Sequence, residues 1–173
     1  GVFRRQRQMC IRDRLQKLNR YLKSGGLILF DTKDADISKF GQSTIEAQTL
    51  KEITVGLNLP PLSLISRDHV LTRSFYLLQE FPGRYAGTEV WLEASSAKEN
   101  TINKKSLRNS NDGVTPVIIG GNDWASAWAV DNSGQPLLPV GRGVSGERQR
   151  EIALRFGINL IMHVLTGNYK SDQ

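Results

Sequence analysis

Two aspartates, a histidine and two arginines are the residues of this chain best suited to chemistry. Asp31 ends the apolar run of GLILFD, and Asp123 follows the apolar run and two glycines of TPVIIGGNDWASAW. Open α/β sheets place their sites at the carboxyl ends of buried strands. If these two strands are parallel neighbours, both carboxylates reach one sheet edge. There they could hold a polar ligand or a cation, or act as an acid–base pair. His69, within SRDHVLTRSFY, is the better placed of the two histidines and completes the candidate catalytic set Asp31, His69 and Asp123. The candidate ligand-binding set is Asn122, Asp123, Trp124, Arg73 and Arg84. A purely structural reading competes at each position. Asp31 would cap the next element, Asp123 would close an Asx-turn, His69 would cap a turn, and Trp124 and Trp128 would pack in the core.

Several chemistries lack their residues. A nucleophilic cysteine or serine needs a base and a tight turn. The single cysteine is Cys10, and neither Gly-x-Cys-x-Gly nor Gly-x-Ser-x-Gly occurs. With two histidines and no cysteine past Ile11, no metal centre is expected. No Gly-x-Gly-x-x-Gly follows a strand and no Walker motif is present, so no nucleotide or other cofactor is expected. His163 falls on the apolar face of the last helix and reads as a packing residue.

The net charge of +6 suggests nucleic acid at first sight, yet residues 1–14 carry five arginines against one aspartate, +4 of that total. The remainder mixes both signs, and no nucleic-acid partner is expected. The string RQRQMCIRDR resembles translated sequencing-adapter sequence of the kind found at the ends of metagenomic reads. Residues 1–14 are therefore expected to be non-native or a disordered basic arm, with a single α/β domain over 15–173.

The elements that must position the candidates follow from periodicity and punctuation. Leu15, Leu18 and Leu22 mark one helical face before Gly25. Leu27–Phe30 and Val114–Ile119 read as buried strands, and TEVWLE alternates as a strand. Thr44 is a good N-cap for a helix over Ile45–Val55. Pro60-Pro61 enforces an extended connection. Ala94–Gly113 is polar and aperiodic, a long exposed loop. Ser145 is a candidate N-cap for the longest helix, whose face carries Ile152, Phe156, Leu160 and Val164, with Gly157 marking a close helix–sheet approach. Arg148, Arg150 and Arg155 with Glu147 and Glu151 form a solvated or ion-paired face.

GGLILFD, HVLTRSFYLL, GNDWASAW and the tail RFGINLIMHVLTGNYK together resemble the bacterial domain-of-unknown-function family 4159, in its alphaproteobacterial type. The resemblance covers Leu15–Gln173. It implies a three-layer, mostly parallel α/β sandwich of the glutamine amidotransferase-like (flavodoxin-like) kind, here a fragment cut at both ends. It also implies residence in larger membrane-anchored proteins, with no activity established. The expected function is a non-catalytic ligand- or protein-binding domain of a cell-envelope protein, its partner a polar ligand or an envelope protein. Membrane attachment would come through other regions of the full-length protein. The alternative is a hydrolase using Asp31, His69 and Asp123, with or without a metal.

Overall fold

A computed structural model describes residues 2–34, 44–86, 89–94 and 115–166, with side chains from Arg12 onward. Helix α1 spans Val2–Lys23, so it starts well before the leucine face that begins at Leu15. It ends at Gly25, whose φ of +87° suits glycine. Strand β1 (Ile28–Asp31) follows. Helix α2 (Ile45–Thr54) has Thr44 as its cap, its hydroxyl accepting from the Ala47 amide at 3.0 Å. Past the two prolines comes a short strand β2 (Leu62–Leu64), then a 3-10 turn over Val70–Thr72. Strands β3 (Val90–Glu93) and β4 (Val117–Gly120) complete the sheet. Helix α3 (Trp124–Trp128) and helix α4 (Gly143–Thr166) end the described chain. α4 begins two residues before Ser145. GRGVSG, at its start, has dinucleotide-loop glycine spacing but follows the irregular segment 137–140 rather than a strand.

The sheet order is β1-β4-β3-β2. β1 and β4 are parallel neighbours, with Asp31 level with Gly120. The expectation of a mostly parallel sheet is corrected by β3, which runs antiparallel to both β4 and β2. The physical reason lies in TEVWLE itself. Its alternation is the pattern of an antiparallel strand with one dry and one wetter face. Val90 and Leu92 are buried while Trp91 and its cross-strand neighbour Leu64 are exposed. The fold is thus a mixed α/β sheet with helices.

The core lies on the face that Val90, Leu92 and Ile118 share with Leu71, Leu78, Phe81, Trp124 and Phe156. Phe156 of α4 meets Trp124 and Phe81 at ring distances of 4.9 and 5.3 Å. The buried line of α4 is Gly146, Ala153, Phe156, Asn159 and His163, so Val164 lies outside it. Gly157 does mark a close approach, but to a helix rather than the sheet. A Cβ there would sit 3.3 Å from the Trp128 ring of α3. Arg150, expected on a solvated face, instead donates to the Ala127 carbonyl at 2.7 Å and to the Leu138 carbonyl. The Arg155–Glu151 pair is exposed, as expected. The segments 35–43 and 95–114 and the Gly167-Asn168 helix end lie outside the described residues.

Candidate functional site

The parallel pairing of β1 and β4 brings the loops after both strands to one edge, and three of the expected site residues meet there. Asp31 receives the amides of Asp123 and Ala125 at 2.9 and 3.2 Å. Burial pushes its carboxyl above the ordinary carboxylate value and the negative Asp123 adds to this, against the lowering effect of those amides. Asp31 is therefore a brace for the turn that carries Asp123.

Asp123 sits in the left-handed region, φ +54° and ψ +54°, and is almost fully buried. A side chain there is uncommon, though aspartate tolerates it better than most. Its Oδ1 receives no hydrogen bond. The Lys33 ammonium lies 3.4 Å away, close enough for an ion pair but off line for a hydrogen bond. Arg84 Nη1 stands 3.8 Å from Oδ2. Both bases are partly exposed, at 54% for Lys33 and 37% for Arg84, so they form an outer layer over the buried acid. Lys33 is the only other described non-glycine residue with positive φ, at +60°. It was missed in the sequence, where a lone lysine in a polar loop gives no signal. The edge argument that pairs Asp31 with Asp123 extends to Lys33, two residues further on.

The opposite side of Asp123 is fixed by the FPGRY loop. Arg84 and Tyr85 donate their amides to the carbonyls of Asp123 and Asn122 at 3.2 and 3.1 Å. Gly83 makes this approach possible, since a Cβ there would lie 2.1 Å from the Asn122 carbonyl oxygen. Gln149 of α4 binds the carbonyls of Gly83 and Arg84 at 2.9 and 3.1 Å. Asn122 and Trp124, expected at a ligand surface, are fully buried instead. Both donate to the Phe81 carbonyl, at 2.8 and 3.0 Å, and so hold the loop from below. Gly120 leaves room for the Trp124 ring, which a Cβ would meet at 2.3 Å.

His69 and Arg73 do not join this cluster. His69 caps the 3-10 turn, its Nδ1 accepting from the Leu71 amide at 3.2 Å, and its Nε2 is 3.4 Å from the Thr115 hydroxyl. His163 Nε2 accepts from the Thr115 amide at 3.1 Å. Thr115 precedes β4, whereas Asp123 follows it. Along α4, Gln149 beside Arg84 and His163 beside Thr115 are ~20 Å apart at 1.5 Å per residue. Arg73 donates to the Asp68 carbonyl at 2.9 Å and tightens its own loop.

The His69 arrangement has a pH consequence. Burial lowers its pKa below the ordinary 6.5. The unfolded chain then binds more protons between the two values, so stability is full above pH 6.5 and falls as pH drops below it. Urea midpoints at pH 7.5 and 5.5 are expected to show this loss in the wild type and a smaller one in His69→Asn. Equal losses in both proteins would remove His69 from the account.

Among the described residues no group of three or more His, Cys, Asp or Glu side chains could hold a metal ion. No described helix is long and apolar enough to cross a membrane. No curated protein matches the chain. A family model described as "Domain of unknown function (DUF4159)" matches residues 4–165, a span that takes in part of the arginine-rich start. With nearly the whole chain so matched, and the GGLILFD and GNDWASAW strand ends built around one edge, this chain belongs to the DUF4159 family.

Proposed function

We propose that this domain is a non-catalytic binding domain of a membrane-anchored cell-envelope protein. Its site is the Lys33–Asp123–Arg84 cluster at the carboxyl edge of β1 and β4. Its three-layer context would be that of a glutamine amidotransferase-like fold that lacks the nucleophile. One observation carries the reading. Asp123 combines a buried carboxylate oxygen without a hydrogen bond and a left-handed backbone. Each feature is destabilising by itself, and such residues concentrate at functional sites.

The hydrolase alternative needs Asp31, His69 and Asp123 in one place. His69 caps a turn at the other end of β4, and both Asp31 oxygens already accept backbone amides. The binding reading needs only the cluster itself.

Asp123→Asn tests it, because asparagine keeps the shape and tolerates positive φ. The variant is expected to keep the wild-type circular-dichroism spectrum and to lose retention of a partner from envelope extracts in matched pull-downs. Undiminished retention by a folded variant would remove the cluster as the site.

A further inference from the structure

We propose that the outward face of α4 joins two copies of this chain as an antiparallel helix pair, independently of the binding reading above. Leu154, Ile158, Ile161 and Leu165 follow one another at spacings of four, three and four, the seam of a helix that packs on another helix. They lie opposite the buried line of Phe156, Asn159 and His163. All four are exposed, by 40% at Ile158 up to 64% at Leu165. No charged residue occurs between Phe156 and Thr166. A surface helix turns polar and charged residues outward, and one that is apolar on both faces is covered on both.

The fold bounds this seam on both flanks and leaves its front open. On one flank Arg155 lies over the Tyr76 ring, 5.0 Å from its centroid. On the other, Gly157 meets the Trp128 ring of α3. Phe75, exposed and in ring contact with Tyr76, widens the apolar surface on the Arg155 side, and exposed Val164 does so on the Gly157 side.

A second copy fits because the seam is its own complement. Its order, Leu-Ile-Ile-Leu, reads the same in both directions, and so does its spacing. A two-fold axis between Asn159 and Leu160 sets Leu154 on Leu165 of the partner subunit and Ile158 on the partner's Ile161, an isologous contact. Charge chooses the direction. Glu147 and Glu151 continue the same face toward the start of α4. A parallel pair would press these acids against their own copies, whereas an antiparallel pair carries them to opposite ends and also opposes the two helix dipoles. From Leu154 to Leu165 the seam is ~16 Å long at 1.5 Å per residue. A contact of that length belongs to the small, reversible class of interfaces, so a dissociation constant of about 10–100 µM is expected.

Sedimentation velocity of the full chain from about 5 to 500 µM tests this, a range that brackets the expected constant. The wild type is expected to pass from monomer to dimer across it. Ile158→Glu and Ile161→Lys each bury a charge at two symmetric contacts and should raise the dissociation constant more than about tenfold. Both positions are exposed, so the circular-dichroism spectrum should not change. An equimolar mixture of the two variants should dimerise again, because the new carboxylate then faces the new ammonium while the remaining isoleucines still meet. A wild type that stays monomeric throughout, a dimer that survives both substitutions, or a mixture that stays monomeric would each overturn the antiparallel pairing.

Discussion

Trp124→Ala is expected to lower folding stability by about 3–5 kcal/mol, the range for truncating a large buried aromatic. Marginal stabilities of ~5–15 kcal/mol make that a large fraction of the total. Trp124 is fully buried, packs on Phe156 and lies in the space left by the missing Cβ of Gly120. Its indole nitrogen also holds the Phe81 carbonyl at 3.0 Å. The substitution therefore opens a cavity and loosens the FPGRY loop that carries Arg84. Urea unfolding checks it. A loss below about 1 kcal/mol, the scale of an ordinary surface change, would show that the ring is not the packing centre described here.

Asn159→Ala comes next, through hydrogen bonds rather than volume. Asn159 is completely buried in α4 and uses its whole amide. Its Oδ1 accepts from the amides of Phe75 and Tyr76 at 3.2 and 2.7 Å. Its Nδ2 donates to the carbonyls of Leu71 and Tyr76 at 2.9 and 2.8 Å. Alanine orphans four backbone groups at once. At ~1–3 kcal/mol for each buried group left unsatisfied, and with partial relief by water, a loss of about 3 kcal/mol or more is expected. Asn159→Asp should not rescue it, since a carboxylate facing two carbonyls replaces donors with repulsion. Amide hydrogen exchange gives the local readout, with Phe75 and Tyr76 losing protection ahead of the sheet. Unchanged protection at those amides would contradict the role.

Much of the architecture was legible in the chain. The apolar runs of GLILFD and TPVIIGG became β1 and β4, and their shared edge brought Asp31 to Asp123. Thr44 capped its helix because a hydroxyl before a helix-forming run satisfies a free amide wherever the helix packs. The orientation of β3 was misjudged, although its alternation held the clue. Asn122 and Trp124 proved to be buried, because a polar or aromatic residue after a strand can point inward as readily as outward. Only the FPGRY loop, distant in sequence, decides between them. His69 went to the far end of β4 because a local pattern carries no information on where a loop crosses a sheet. The acceptor role of Asp31 and the partnership of Lys33 with Asp123 are likewise tertiary facts. What periodicity could establish was the edge, and what it could not establish was which groups at that edge remain free.

If the cluster is a binding site, Asp123 is held buried and left-handed for binding rather than for folding. Its bases are partly exposed and can return to water, so their loss as partners is worth little, about 0–1 kcal/mol. Thermal unfolding of Asp123→Asn beside the wild type, at neutral pH, tests this most directly. A melting temperature equal to or above that of the wild type is expected. A drop corresponding to about 2 kcal/mol or more, the signature of a broken buried ion pair, would make Asp123 a structural residue and contradict it.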